Sequence, residues 1–320
     1  MILILSQLIE PNTSEIIDIL NFYNKPWFRL NGEDIPTNIH FEYDLNNGSK
    51  IEDVSGVNSI SVVELDKVTS VWARRRGAIT PSSQLPENQQ RFIVDECLTL
   101  YKGLESLTEA QWMNNPWSDD KANNPIVQLS TAKKVGLTIP STTITQSKTS
   151  ADKFYSACNG DVITKRIMKA PISHYGFSMV FTSAITDEHT QDFTHLALCP
   201  TLLQARVDRL LELRITVVGN KLFSAATEVD LHNQYKVDIR ESDLQKVNYF
   251  PYQLPEDIQQ RILSLMADLG LVFGAIDMIL TSKNEYVFIE LNPIGQWGWV
   301  ESATGLKITE AVAHWLMQED

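Results

Sequence analysis

Apolar residues fall into short continuous runs, alternating stretches and helical stripes along this chain, and each pattern predicts an element. Ile2-Leu3-Ile4-Leu5 is the kind of run that fills a strand buried on both faces. A helix over about 14–23 and a shorter strand over 27–30 follow, the order of an α/β unit. Residues 40–68 alternate apolar and polar side chains around Asn46-Asn47-Gly48, a hairpin-turn signal. After Val71-Trp72-Ala73-Arg74-Arg75-Arg76-Gly77 a long helix is predicted over 87–107, where apolar residues such as Cys97, Tyr101, Leu104 and Leu107 recur near the helical period.

A stretch rich in Asn, Pro and Trp, 112–125, interrupts the pattern. Ile126, Val127, Leu129, Ala132 and Val135 then make the apolar stripe of a short helix, stopped by Gly136. Strands are predicted over 141–145 and 161–168, with a loop over 169–178. Further strands are predicted over 179–182, 201–207, 211–218 and 221–227, the last two joined by Gly219-Asn220. A helix over 253–269 has Pro255 near its start and Gly270 past its end, and a final helix covers 308–317. The polar stretch 183–195 reads as an exposed connector.

Between those two helices lies the most informative pattern. Gly274-Ala275-Ile276-Asp277 and Phe288-Ile289-Glu290-Leu291-Asn292-Pro293 read as two strands joined by the polar turn Ser282-Lys283-Asn284-Glu285. A turn centred between Lys283 and Asn284 puts Asp277 opposite Glu290, with Asn292 on the same face. Opposed carboxylates repel and weaken a sheet unless a cation sits between them. Magnesium takes such oxygen donors, usually together with phosphate oxygens. The structural alternative is a surface hairpin with incidental acids, but Ile276, Met278, Leu280, Val287, Ile289 and Leu291 make the other face too apolar for a free-standing edge.

Other charged residues sit where burial would be costly. Lys165 lies inside the apolar strand Val162-Ile163-Thr164-Lys165-Arg166-Ile167, where its ammonium must face solvent or meet an anion such as phosphate. In Gln204-Ala205-Arg206-Val207-Asp208, a connector after an apolar strand, main-chain groups can read an adenine edge and Asp208 can accept from ribose hydroxyls. Glu212 and Arg214 share one strand face; they either neutralise sheet charges or present a planar fork to carboxylate or phosphate. Asp238-Ile239-Arg240 repeats that spacing and makes Arg240 a second phosphate-binding candidate. Arg74, Arg75 and Arg76 form a positive cluster beside Trp72, either a solvated surface run or a substrate-facing patch.

Composition narrows the setting. The 320 residues suit two or three modules, and 43% hydrophobic and 9% aromatic content are those of a globular chain. The net charge of −13 argues against a general nucleic-acid binder. Cys97, Cys158 and Cys199 fit no zinc spacing and point to a reducing, cytoplasmic setting. The six histidines show no metal spacing, and no apolar run approaches the length of a membrane span.

Taken in chain order, the Lys-bearing strand, the hinge, Glu-x-Arg, Asp-x-Arg and the terminal Asp…Glu-x-Asn resemble the ATP-grasp ligases. Val71-Trp72-Ala73-Arg74-Arg75 and the run from Phe288 through Gly295-Gln296-Trp297-Gly298-Trp299 narrow the resemblance to the branch that makes microviridins and other graspetides. Gln128-Leu129 with Gly136-Leu137-Thr138-Ile139-Pro140, and 200–214 with Val217-Val218-Gly219, fit as well. The similarity spans 71–317. Pro125 stands three residues before Gln128, where relatives often place a nucleotide-contacting lysine, and Ile239 replaces the tryptophan of the usual Asp-Trp-Arg.

The resemblance implies an α/β fold of three domains, a pre-ATP-grasp domain over 1–115 and ATP-grasp subdomains over 116–200 and 201–320, with ATP between two antiparallel sheets. It implies that Lys165 binds phosphates, that Gln204, Ala205 and Val207 hold adenine and Asp208 the ribose, and that Asp277, Glu290 and Asn292 bind magnesium. Arg240 would lie close to the transferring phosphoryl group, with Glu212, Arg214 and Arg74 at the peptide. The implied function is ATP-dependent activation of Asp or Glu side chains in a ribosomally made precursor, closed by Thr, Ser or Lys into ester or amide rings. The implied partners are a leader-bearing precursor with a core rich in Thr, Glu and Asp, and a second copy of the chain in a homodimer. Two alternatives stand beside it: a ligase adding a free amino acid to a protein or small molecule, and a nucleotide-binding module without catalysis.

Overall fold

The computed structural model describes residues 1–56, 58–167, 182–191, 193–228 and 248–319. Its first sheet is parallel, in the order Trp27–Asn31, Ile2–Ser6, Ser70–Ala73, Gln111–Met113. Ile2 to Leu5 are buried as the continuous apolar run requires, since the strand is covered on both faces. The helix Pro11–Phe22 covers one face together with the C-terminal helix Ile308–Met317. The hairpin signalled by Asn46-Asn47-Gly48 forms between Ile39–Asp44 and Gly48–Asp53 and is joined by Val62–Glu64 in a three-stranded sheet. The predicted long helix is Glu87–Gly103, tightening into a 3-10 turn at Leu104–Leu107.

A second sheet, antiparallel, runs Ser183–Ala184, Val162–Lys165, Thr201–Ala205, Thr142–Thr145. The third, also antiparallel, runs Phe250–Pro251, Lys221–Glu228, Leu211–Val218, Phe273–Leu280, Tyr286–Asn292. The strand Thr201–Ala205 pairs wholly within the second sheet and leads into the hinge 206–210. The helix Pro125–Lys134 packs against the third sheet and its helix Glu256–Leu269. Segment 116–139 thus belongs to the core of the third sheet.

The helix Glu256–Leu269 shows how local sequence sets this packing. Pro255 stands at its N-cap, and Gly270, at φ +71°, adopts the left-handed turn that stops it. Ile258, Ile262, Leu265, Met266 and Leu269 fall on one stripe and bury against Leu213, Ile215, Val217 and Ile276 of the sheet. Each such side chain contributes about 1.5–3 kcal/mol by leaving water. The opposite sheet face is thereby left to the polar residues of alternate positions.

Outside 183–195, three helices go beyond the predicted elements. Lys148–Ala157 buries only Ala151 and is started by Ser147, whose hydroxyl accepts from Ser150 N–H. Pro116–Ala122 lies inside the Asn/Pro-rich break and is capped by Asn115; Gly298–Thr304 follows the last strand. The first puts Ala151, Phe154 and Tyr155, with Cys158 just past its end, on one stripe against the small core of the second sheet; the other two are too short to show one. The stretch 183–195 is also more ordered than a connector, with the strand Ser183–Ala184 and the helix Asp187–Gln191.

Candidate functional site

A cleft of about 640 Å³ opens between the second and third sheets. One wall is the Lys165 strand and the hinge, with Lys165, Gln204, Ala205 and Val207 on the lining. The other is the polar face of the third sheet, with Glu212, Arg214, Asp277, Glu290 and Asn292 on the lining. Nine residues singled out from the sequence therefore share one space.

On the third sheet they form a row. Arg214 is the cross-strand partner of Asp277, and Asp277 is the partner of Glu290, the pairing expected from the hairpin pattern. The register behind that pairing is not uniform. A bulge next to Asp277 shifts the turn side by one residue, so Met278 faces Phe288 and Leu280 faces Tyr286. Phe288 consequently takes the buried position, while Ile289, expected on the apolar face, is half-buried and lines the cleft.

The row also answers the repulsion argument in part. Arg214 Nη1 donates to Asp277 Oδ1 at 2.9 Å, so a cation already flanks one of the two carboxylates within the protein. Glu212 has its own cation, Arg209 Nη1, at 2.6 Å from Oε1. The Asp277 side chain stays 38% exposed toward the cleft despite its ion pair. Asn292 Oδ1 accepts from Ile294 N–H at 3.1 Å and keeps a second lone pair. Two carboxylates and an amide oxygen on one wall, opposite a lysine, form a donor set suited to magnesium held jointly with nucleotide phosphates. Among the described residues no three His, Cys, Asp or Glu side chains group as a self-sufficient metal site.

The hinge wall is built from main chain. Gln204 is buried and donates to Thr142 Oγ1 at 2.9 Å. Ala205 N–H donates to Ser141 O and Arg206 N–H to Asp161 O, which fixes the hinge. Val207 N–H has no main-chain partner among the described residues and lies on the lining, a donor of the kind that reads a base edge. Asp208, by contrast, is exposed and off the lining; its carboxylate accepts from Ser282 N–H and Oγ–H, and the hydroxyl bond holds its pKa down.

Arg74 is not in the cleft. It is 2% exposed, lies over the Trp297 ring at 4.5 Å and donates from Nη1 to Ile294 O and Gly295 O at 2.8 and 2.9 Å. Glu10 Oε1 faces its Nε at 3.4 Å, an ionic contact longer than a good hydrogen bond. Burial pushes the guanidinium down to about 10, opposed by Glu10. The substrate-facing patch read from Arg74 is thus an interior contact, because its fork is taken up by protein carbonyls. Arg240, like the loop 169–178, lies outside the described residues.

Sequence reasoning passed over Arg209, Tyr249 and Trp299, all on the lining. Tyr249 meets Trp299 edge to face at 4.7 Å, and Trp299 lies 5.9 Å from the Arg214 guanidinium. Burial first, then the charges of Glu212 and Asp277, push the Tyr249 hydroxyl up to about 12. The second tryptophan of Trp297-Gly298-Trp299 was the available signal, since Trp297 is fully buried whereas Trp299 is 41% exposed. Gly295 belongs to the same turn. A Cβ there would stand 2.3 Å from Ala275 Cβ, so only glycine lets the loop lie against the sheet.

Comparison with known proteins bears on the fold. A family profile described as the MvdD pre-ATP grasp domain matches residues 1–120. No curated protein sequence matches the chain. The macrocyclase MdnC of Microcystis aeruginosa MRC, crystallised with the precursor peptide MdnA, is 26% identical with a TM-score of 0.86, over 100% of both chains. The macrocyclase MdnB from the same source is 28% identical with a TM-score of 0.77, over 98% of each chain. A RiPP-associated ATP-grasp ligase of Chryseobacterium gregarium, in complex with ADP and a leader and core peptide, is 24% identical with a TM-score of 0.89, over 99% of this chain and 96% of that one. The fold is the ATP-grasp fold, and the resemblance to the microviridin branch read from the motifs is borne out.

Proposed function

We propose that this chain, an ATP-grasp ligase of the microviridin macrocyclase type, activates Asp or Glu side chains of a ribosomally made precursor peptide with ATP and closes them into rings with Thr or Ser hydroxyls or Lys amines. The observation that carries the reading is the row Arg214–Asp277–Glu290 facing Lys165 across a single cleft. That MdnC was crystallised with a precursor peptide, and the Chryseobacterium ligase with ADP and a leader and core peptide, supports it.

A carboxylate does not react with a hydroxyl in water, because it offers no leaving group. Transfer of the γ-phosphoryl group to the peptide carboxylate releases ADP and leaves an acyl phosphate. Attack by the hydroxyl or amine on its carbonyl then forms the ester or amide, expels inorganic phosphate and gives up one proton. Lys165 would neutralise nucleotide phosphates from one wall, and Asp277, Glu290 and Asn292 would hold magnesium on the other. Magnesium, when bound, supplies charge neutralisation between the phosphates. The hinge at Gln204, Ala205 and Val207 would seat the adenine. Arg214, with Trp299 and Tyr249 beside it, would orient the peptide carboxylate, and Glu212 with Arg209 would border the same site. A ribose role for Asp208 would require it to exchange Ser282 for a ribose hydroxyl. Enclosure matters because water would hydrolyse the acyl phosphate.

No helix among the described residues is long and apolar enough to cross a membrane. We place the reaction in the cytoplasm, carried out by a homodimer, on the strength of the same resemblance. The test is to incubate the protein with candidate precursors, ATP and magnesium and to weigh the product. Loss of one water per ring, with ADP formed, is expected. Gain of an amino-acid residue would replace this reading with a free amino-acid ligase, and ATP binding without any product would replace it with a binding module.

A further inference from the structure

Glu290 and Asn292 stand on Tyr286–Asn292, the edge strand of the third sheet. An edge strand exposes unpaired main-chain groups and is the part of a sheet most prone to fray or slip. Here the edge is occupied by buried polar side chains that arrive from earlier parts of the chain. Gln128 is 1% exposed; its Oε1 accepts from Leu291 N–H at 2.9 Å and its Nε2 donates to Leu291 O at 2.8 Å, as a neighbouring strand would. Asn114 Nδ2 donates to Pro293 O at 3.2 Å and to Phe273 O at 2.8 Å, while its Oδ1 accepts from Val272 and Phe273 N–H. Arg74 holds Ile294 O and Gly295 O, and its Nη2 donates to Gln296 Oε1 at 3.2 Å.

The placement of Gln128 is specific. Leu291 N–H belongs to the peptide unit that joins it to Glu290, and Leu291 O to the unit that joins it to Asn292. One side-chain amide therefore pins both peptide planes between the two metal-binding candidates. Beyond Asn292, Arg74 fixes the turn whose Ile294 N–H holds Asn292 Oδ1. Burying three such polar groups costs desolvation that apolar residues of the same size would avoid. What the polar groups add is direction.

We infer that Gln128 and Arg74, with Asn114 between them, are positioning residues for the Glu290–Asn292 donor pair. The N-terminal sheet, through Arg74 and its partner Glu10, then sets the geometry of a metal site in another sheet. The inference rests on the reading of the cleft as a nucleotide and magnesium site, and its test needs no peptide. ADP binding is measured calorimetrically without metal and then over a magnesium chloride titration, for the wild-type protein, Gln128→Met, Arg74→Met and Arg74→Lys, each checked for native circular dichroism.

Metal-free ADP affinity is expected to stay within about twofold of wild type. The magnesium concentration at half effect should rise about tenfold in Gln128→Met and Arg74→Met, the scale on which removal of groups that orient metal ligands acts. Arg74→Lys, which keeps one donor for the carbonyls, should recover part of that loss. If Gln128→Met does not fold, the Arg74 pair decides. Folded variants with wild-type magnesium dependence overturn the inference, as does an equal loss of metal-free and magnesium-assisted binding. If the wild-type protein binds ADP without any response to magnesium, the reading of the cleft itself fails and the inference with it, and this shows before any variant is made.

Discussion

Glu290 is held opposite Asp277, whose carboxylate is paired with Arg214. Glu290→Gln keeps the volume and removes one carboxylate of the row. Precursor turnover by the folded variant, followed by mass, should fall by about 10²-fold or more through loss of a charge that the transition state uses. A folded variant that keeps wild-type turnover would remove Glu290 from the site. At this scale the sequence was informative wherever charge interrupted an apolar strand, as at Lys165, Arg214 and Asp277. It misled at Arg74, because a cationic run looks the same whether it faces substrate or is folded onto carbonyls far along the chain. Gln128 and Asn114 gave no signal of their role, since a buried amide is distinguishable from a surface one only when its main-chain partners are known.

Elements with a full apolar stripe or alternation were legible: Leu211–Val218 and Ile308–Met317 have the predicted bounds, and the hairpin brought its acids together. The bulge beside Asp277 was not, because two residues facing one leaves no mark in an apolar pattern until burial shows that Phe288 and not Ile289 is inside. The helix Pro116–Ala122 was hidden in the Asn- and Pro-rich break, although its start has a capping Asn115 and Pro116 in the first turn. It carries a titrating group. Burial raises the Asp119 carboxyl to about 7, against the lowering effect of the Asn114 Nδ2 bond. A folded pKa above the unfolded value means the native state binds the extra proton, so stability falls as pH rises from about 4 through 7. Asp119→Asn, which retains an acceptor for Asn114, should raise the melting temperature at pH 8 and leave it nearly unchanged at pH 4. Equal shifts at both pH values would mean that Asp119 does not titrate in this way.

In the whole molecule, the first and third sheets are not independent bodies. Ile2, Ile4, Ile16, Leu20 and Trp72 share one core with Phe273, Trp297, Val300, Ile308 and Val312, and Trp297 packs on Trp72 and Phe273 at 6.1 and 5.1 Å. Among the described residues the second sheet has a small core of its own, centred on Ala151, Val162, Phe193 and Leu203. Elements with little buried apolar surface open at lower free energy than the body to which they are joined. A ligand that touches both walls of the cleft must therefore act chiefly on the second sheet, which it ties to a frame already held together. Hydrogen exchange read by mass spectrometry checks this. With ADP and magnesium, amides of 162–165 and 201–207 should slow by an order of magnitude or more. The 286–292 strand, pinned by Gln128 and Thr138, should slow only modestly from an already protected state, and the 39–64 sheet should not change. Protection confined to the third sheet would show that the nucleotide does not bridge the cleft, and the opposed lysine and carboxylates would then need separate ligands.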